Sequence, residues 1–140
     1  MIVVIDTNVV VSGILRPFGP PGTVLRLAAS GMLKVAYDDR ILFEYREILS
    51  RPVFGFSADN IDAFLNQMEE EGLFVSAEPL PFRLPDPSDE PFLEVALSAR
   101  VAALVTGNTK HFPGKSAGVR IISPSEFVRE YRLYGRPRKK

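Results

Sequence analysis

Short apolar runs alternate with helix-like segments from the start of the chain. Residues 2–5 are Ile-Val-Val-Ile, a mostly β-branched run that is typical of a strand buried on both faces. Most of these runs are followed by segments whose apolar residues recur three and four positions apart, as on one face of a helix. The pattern predicts strands over 2–5, 33–37, 73–76, 102–105 and 119–122, and helices over 8–15, 23–30, 39–50, 57–71 and 89–100.

Glycine, proline and serine residues mark the ends of several predicted helices. Gly31 and Gly72 each follow the last position of a helical pattern, where glycine commonly ends a helix. Residues 19–22, Gly-Pro-Pro-Gly, predict a break between the first two helices. Residues 123–126, Ser-Pro-Ser-Glu, form a capping box with proline at the first helical position and predict a sixth helix.

Strands separated by helices predict a parallel sheet that is covered on both faces. We therefore predict an α/β fold of the Rossmann-like kind, a three-layer α/β/α sandwich around a central parallel sheet of four to five strands. A length of 140 residues suits one domain, which we place at residues 1–134. Residues 135–140 have no apolar periodicity and are predicted to be a basic, mobile tail.

Charge and composition exclude several classes of site. Basic and acidic side chains number 17 each, so no net field favours nucleic acid. The chain has no cysteine, which excludes disulfides and thiolate metal sites, and one histidine, His111, which excludes a histidine-rich zinc site. No signal peptide or apolar run of membrane length is present, so we expect an intracellular, cytoplasmic protein.

Asp6 follows the first predicted strand directly and is followed by Thr7 and Asn8. Ligands in open α/β sheets bind outside the carboxyl ends of the strands, so this carboxylate is expected at a functional edge. The alternative is that Asp6 only caps the next helix, since aspartate often does so.

The third predicted helix carries two acids with different surroundings. On a wheel of about 100° per residue, Glu44 lies beside the apolar face, whereas Glu47 points away from it toward water. A carboxylate beside the core needs a partner, which makes Glu44 a candidate site residue. The alternative is that Glu44 sits at the edge of the face and reaches water.

A second group of acids surrounds the start of the fifth predicted helix. On that helix Asp89 projects along the middle of the core face, Glu90 lies at its edge, and Glu94 is predicted to point to solvent. Asp86, Ser88 or Asp89 could instead cap the helix, and several acids at a helix start also complement its dipole.

The fourth predicted strand runs into a polar turn with Thr106 and Asn108. The first and fourth strands flank the switch point in the usual strand order, so Asp6 and Asn108 are expected to face one crevice. Asn108 could also serve the turn alone. His111, in the loop that follows, is expected to be a surface residue rather than a ligand or base.

Together these segments resemble a PIN domain over residues 1 to about 130. The resemblance rests on Ile-Val-Val-Ile-Asp-Thr-Asn at 2–8, Glu44 on the third helix, Asp-Glu-Pro-Phe-Leu-Glu at 89–94, and Leu-Val-Thr-Gly-Asn at 104–108. The opening 6–15, with Gly-Pro-Pro-Gly after it, is similar to the subgroup of toxins from toxin–antitoxin systems.

The resemblance implies a three-layer α/β/α fold and metal-dependent ribonuclease activity. It also implies the site residues, which comprise catalytic and supporting positions: Asp6, Glu44, Asp89, Glu90 and Asn108, with Asn8 and Thr106 in support. Asp6 with Asp89 or Glu90 would hold the metal. The fourth site position of the family, in the turn after the fourth strand, is commonly aspartate. Asn108 stands there in this chain and brings no charge.

The chemistry of the donors independently favours Mg²⁺ or Mn²⁺, because hard oxygen ligands without histidine or cysteine suit these ions. Expected partners are an RNA substrate, a small antitoxin protein and a second copy of the chain, and no membrane. Basic side chains cluster at the end of the chain and are predicted to contribute to RNA affinity rather than to the fold: Arg129, Arg132, Arg136, Arg138, Lys139 and Lys140.

Three other functions fit parts of the pattern. A haloacid-dehalogenase-like phosphatase also places an aspartate after its first strand, but it needs a second one two positions on, where Asn8 stands. A receiver-like domain needs an aspartate after its third strand, where 75–77 is Val-Ser-Ala. A PIN-fold RNA- or protein-binding module with weak or lost nuclease activity is the non-enzymatic alternative, motivated by Asn108.

Overall fold

The computed structural model describes residues 1–112 and 118–138. They contain a five-stranded sheet in the order β3-β2-β1-β4-β5, and every neighbouring pair is parallel. The strands are β1 (Ile2–Ile5), β2 (Lys34–Tyr37), β3 (Leu73–Phe74), β4 (Ala103–Val105) and β5 (Ile121–Ile122). The predicted parallel sheet and three-layer α/β/α fold are confirmed.

Six helices connect and cover the strands. They are α1 (Thr7–Leu15), α2 (Pro20–Ala29), α3 (Asp39–Leu49), α4 (Ala58–Glu71), α5 (Glu90–Ala99) and α6 (Pro124–Tyr134). Short 3-10 turns occur at Pro52–Phe54, Pro87–Asp89 and Thr109–His111. Within the described part of the chain, none of these helices combines the length and apolarity that a membrane crossing requires.

The central position of β1 explains its uninterrupted apolar sequence. Val3, Val4 and Ile5 are completely buried, and β1 pairs with β2 on one side and β4 on the other. Helices cover both faces of a parallel sheet, so a central strand has no polar face. The first polar side chain after β1 therefore emerges only at its carboxyl end.

Side-chain caps set the beginnings of α3, α4 and α6. Asp38 accepts from the backbone N–H of Ile41 at 3.0 Å, and Ser57 and Ser123 make the equivalent bonds at 3.1 Å. Each bond satisfies an amide that the first helical turn leaves unpaired. The predicted cap at Ser123 is confirmed.

The predicted break between the first two helices is present, but it lies at 16–19, and the prediction that it extends to Gly22 is wrong. Pro20, Pro21 and Gly22 form the first turn of α2, because proline has the dihedral angle that a first helical turn needs and its missing N–H would be unpaired there anyway. Gly22 is needed at this position, since a Cβ would collide with the carbonyl of Pro17. The glycine therefore serves close packing rather than a turn.

The prediction that Glu94 points to solvent is also wrong. Its residue is only 7% exposed; one carboxylate oxygen lies 2.6 Å from the Arg40 guanidinium, and the other accepts from the Leu80 backbone N–H at 2.9 Å. Residues 79–87, the proline-rich segment before α5, fold over the helix face that the wheel had assigned to water. Glu94 thus holds that segment and the start of α3 to α5.

Candidate functional site

Asp6 and Thr106 meet at the carboxyl edge of the sheet. Strands β1 and β4 are parallel neighbours in register, with Ile5 opposite Val105, so the residues that follow them lie side by side. The Thr106 hydroxyl donates to Asp6 Oδ2 at 2.7 Å, and the Thr7 backbone N–H donates to Oδ1 at 2.8 Å. Asp6 is therefore both the cap of α1 and a carboxylate at the ligand-binding edge, and the two interpretations are compatible.

The turn after β4 is fastened to the residues after β1. Asn8 Oδ1 accepts from the Gly107 backbone N–H at 2.9 Å, and Asn8 Nδ2 lies 3.4 Å from Asp6 Oδ2. The Asn108 backbone N–H donates to Thr106 Oγ1 at 3.1 Å. The two predicted supporting residues, Asn8 and Thr106, thus set the shape of this edge.

Glu44 reaches the same edge from α3. Its Oε2 accepts a short hydrogen bond from the Thr7 hydroxyl. The next residue, Tyr45, is fully buried and donates from its hydroxyl to the Ile5 carbonyl at 2.5 Å, which ties α3 to the end of β1. The partner that the position of Glu44 required is Thr7, which sequence reasoning did not identify.

Asp89 enters the site from the junction of a 3-10 turn with α5. It is 7% exposed, and Asp86 caps the turn by accepting from the Ser88 backbone N–H at 2.9 Å. Asp89 Oδ2 lies 3.2 Å from His111 Nδ1, but the geometry is not that of a hydrogen bond, and this buried oxygen has no hydrogen-bond partner among the described residues. A buried, unpaired carboxylate oxygen is costly unless a ligand satisfies it.

His111 has a larger part in this edge than its loop position indicated. Its side chain is partly exposed, as expected, yet its ring lies between Asp89 and Asn108, with Nε2 2.7 Å from Asn108 Nδ2. The available sequence signal was its spacing of three from Asn108, which places both on one side of a single helical turn.

The pKa values of all three carboxylates in the site are raised, mainly by burial. Burial is the main cause for Asp6, whose pKa is raised even though Thr106 and Thr7 donate to it. Burial also raises the pKa of Glu44, and the nearby charge of Asp6 adds to this effect. Burial, followed by the charge of Asp6, raises the pKa of Asp89 to about 6. A bound cation would lower the electrostatic repulsion among carboxylates that lie this close together.

Glu90 is turned away from this cluster. Its Oε2 accepts from the Leu84 backbone N–H at 2.9 Å, and its Oε1 lies 3.2 Å from the Arg83 guanidinium. Both oxygens therefore hold the proline-rich segment. Of the two neighbouring acids that the sequence left open as metal ligands, Asp89 is the better placed.

The donor set fits a small hard cation that keeps several waters. No three His, Asp or Glu side chains in the described ranges form a ready-made metal cluster. Mg²⁺ seldom uses such a cage, since it is usually bound by one or two carboxylates and retains water. Asp6 and Asp89 supply two carboxylates at one edge. Oδ2 of Asp89 is buried there without a hydrogen-bond partner among the described residues.

Comparison with known proteins matches this part of the chain to a family. A family model described as PIN domain matches residues 2–110. No curated protein matches the chain. The matched range begins with β1 and ends within the 3-10 turn after Asn108, so it includes Asp6, Glu44 and Asp89 and excludes His111 and α6.

Proposed function

The chain belongs to the PIN-domain family, and on that premise we propose that it is a metal-dependent ribonuclease with Asp6, Glu44 and Asp89 at its centre. The observation that carries the proposal is the buried Oδ2 of Asp89, which has no hydrogen-bond partner among the described residues and lies at the sheet edge that also holds Asp6. The charge of Asp6 raises the pKa of Asp89, so a cation bound between them would be favoured, and hard oxygen donors favour Mg²⁺ or Mn²⁺.

Asp6 and Asp89 would hold the metal ion. When bound, such an ion neutralises the phosphodiester charge and favours attack by water. Asp6 is fixed for this role by the hydroxyl of Thr106 and the backbone of Thr7, so its carboxylate does not have to be ordered when the ion and substrate arrive. Asn8 holds the turn after β4 in place by accepting a hydrogen bond from the Gly107 backbone N–H.

Glu44 is suited to move a proton rather than to fix the ion. Its Oε2 is engaged by Thr7, whereas its Oε1 has no hydrogen-bond partner among the described residues. Burial raises its pKa toward the range in which a carboxylate takes up protons efficiently. We assign Glu44 Oε1 the role of accepting the proton of the attacking water.

Asn108 favours a second candidate function, a PIN-fold RNA- or protein-binding module without cleavage. Its side-chain amide contacts His111 Nε2 at 2.7 Å, and it adds no negative charge to the centre. Two carboxylates remain for the ion, which is sufficient for Mg²⁺. For this reason we favour the active nuclease.

We further propose that the chain is the toxin of a toxin–antitoxin pair, with a small antitoxin protein as its partner and a second copy as a dimer partner. The family and the opening sequence after β1 support this role. Co-purification of the chain with the product of an adjacent small reading frame would test it, and the absence of any such complex would contradict it.

The nuclease proposal is tested with purified chain and end-labelled single-stranded RNA. We expect cleavage with Mn²⁺ or Mg²⁺, none with EDTA, and loss of cleavage in Asp6→Asn and Asp89→Asn. Glu47→Gln is the matched control, because Glu47 is an exposed acid on α3. Cleavage that persists in EDTA or in Asp6→Asn contradicts the proposal, and RNA binding without cleavage under every metal condition favours the binding module.

A further inference from the structure

A second cleft, of about 580 Å³, opens at the amino edge of the sheet. The residues that precede β1, β4 and β5 form its floor, so it lies at the opposite edge from Asp6. Its described lining consists of small and apolar residues together with three arginines: Met1, Val101, Ala102, Gly118, Gly135, Pro137, Arg120, Arg136 and Arg138.

Arg120 anchors the cleft. Its side chain is only 22% exposed, and its guanidinium lies 2.6 Å from Glu130 and 3.6 Å from Glu126. Its Nε also donates to the Arg138 carbonyl at 3.3 Å. Arg120 therefore links β5, α6 and the segment that follows α6.

The segment after α6 folds back onto this anchor as far as Arg138. Gly135 ends the helix with a φ of 70°, a conformation that glycine adopts without strain. Pro137 is buried, and the Arg138 backbone N–H donates to Glu130 Oε1 at 2.5 Å. The predicted tail thus begins with fixed backbone; its last two residues, Lys139 and Lys140, lie outside the described residues.

This backbone presents two unpaired cations at the cleft. Arg136 and Arg138 are exposed, and no described residue hydrogen-bonds or ion-pairs with either guanidinium. Glu126 and Glu130 face Arg120 instead. The cleft therefore has an excess of positive charge on a surface that is already ordered.

We propose that this cleft binds phosphates of the RNA strand at a distance from the point of cleavage. Guanidinium groups match the oxygens of a phosphate with paired donors. No aromatic side chain occurs in the described lining, so the cleft lacks a platform for stacking bases and would bind the backbone regardless of sequence. The inference rests on the proposed function for its choice of RNA as the ligand.

Because the cleft and Asp6 lie at opposite edges of the sheet, the contribution of the cleft to RNA binding should depend on the length of the RNA. Strand β1 has four residues and spans about 13 Å. An RNA that contacts both edges must cross at least this distance around the domain. A very short oligonucleotide would reach only one of the two sites.

Binding to labelled RNA, measured by fluorescence anisotropy, tests the cleft. The Asp6→Asn background and EDTA remove cleavage and metal, so the measurement does not depend on whether the chain is a nuclease. The test variant is Arg136→Ala with Arg138→Ala, which retains the backbone bonds to Arg120 and Glu130. The matched control is Arg16→Ala with Arg51→Ala, two exposed arginines outside the cleft whose guanidinium groups have no partner among the described residues.

Each phosphate contact contributes about 0.7 to the slope of log affinity against log salt for single strands. We expect the test variant to lower this slope by about 1.4 for a 20-nucleotide RNA, with an unchanged melting temperature. We expect the control to leave the slope near that of the background, and a four-nucleotide RNA to show little difference between variants.

Three outcomes would overturn the proposal. One is an unchanged salt slope in the test variant, and another is an equal loss in test and control variants, which would indicate nonspecific charge. The third is retained RNA binding with lost binding of labelled poly-glutamate, which would assign the cleft to an acidic protein partner. A lowered salt slope in the test variant would support the cleft even if the native chain cleaved no RNA, whereas an unchanged slope alongside metal-dependent cleavage by the native chain would refute the cleft and leave the catalytic proposal standing.

Discussion

Asp89 Oδ2 lies 3.2 Å from His111 Nδ1 and makes no hydrogen bond in the described part of the structure. The other ring nitrogen of His111 contacts the Asn108 side chain at 2.7 Å. The Asn108 amide donates to Nε2 in this arrangement, which leaves the proton on Nδ1, the nitrogen that faces Asp89. His111 can therefore orient Asp89 with a small rotation of either side chain.

We predict that His111→Ala weakens Mn²⁺ binding by about 10-fold, because residues that orient metal ligands typically contribute 10- to 100-fold to affinity. Calorimetric titration measures the change. Lys110→Ala is the control, since it removes the exposed neighbour of His111 and should bind Mn²⁺ normally. Equal affinity in both variants and the native chain would show that His111 does not position Asp89.

The raised pKa of Asp89 predicts how the metal-free protein responds to pH. The folded pKa, about 6, lies above the ordinary value of 3.8, so the folded state holds the proton more tightly than the unfolded state does. Its stabilising contribution is complete below pH of about 4 and is lost as the pH rises through about 6.

In EDTA, therefore, Asp89→Asn should raise the melting temperature at pH 7.5 more than at pH 5. Thermal unfolding at the two pH values measures this difference. Asp86→Asn is the comparison, because hydrogen bonds from Ser88 lower the pKa of Asp86 and no stabilisation at pH 7.5 is expected. The same gain at both pH values in Asp89→Asn would contradict the assignment.

Glu44 and Glu47 should differ sharply in their importance for cleavage. We predict that Glu44→Gln lowers kcat by at least about 100-fold, the lower end for loss of a group that moves a proton in the reaction. Glu47→Gln should cleave normally and unfold within about 0.5 kcal/mol of native, as expected for an exposed position. Loss of cleavage in Glu47→Gln together with normal cleavage in Glu44→Gln would reverse this assignment.

Glu94 is predicted to matter for stability, although it lies outside the proposed centre of Asp6, Glu44 and Asp89. Glu94→Ala removes the partner of Arg40 and of the Leu80 amide, and should cost about 1–3 kcal/mol in the free energy of unfolding. This range lies below the cost of breaking a fully buried pair, because the Arg40 side chain is half exposed. Glu70→Ala, at an exposed position on α4, should change unfolding by less than about 0.5 kcal/mol. Similar denaturation midpoints for the two variants would refute the prediction.

Local patterns were sufficient to predict the sheet and much of its functional edge. Asp6 follows an apolar run that is typical of a buried central strand, and Thr106 follows the adjacent strand, so the strand order brings them together. The helix wheel placed Glu44 and Glu47 correctly relative to the core, because α3 buries one regular stripe. The catalytic role of Glu44 and the absence of such a role for Glu47 stay predictions.

Long-range contacts account for what the sequence did not reveal. Glu94 and Glu90 are satisfied by the proline-rich segment, whose path over α5 is not encoded in any periodic pattern. The hydroxyl of Thr7 reaches a carboxylate 37 positions away. His111 contacts Asp89 because the turn after β4 is fastened to β1, a tertiary relationship that a single histidine in a loop does not disclose.

The hydrogen bond between Thr106 and Asp6 joins residues 100 positions apart. During synthesis Asp6 is made well before β4, the strand that completes the neighbouring side of the proposed centre. Contacts between positions so distant along the chain form late in folding. A nascent chain that lacks β4 also lacks the Thr106 hydroxyl that fixes Asp6, so the proposed centre is assembled only after most of the domain has been translated.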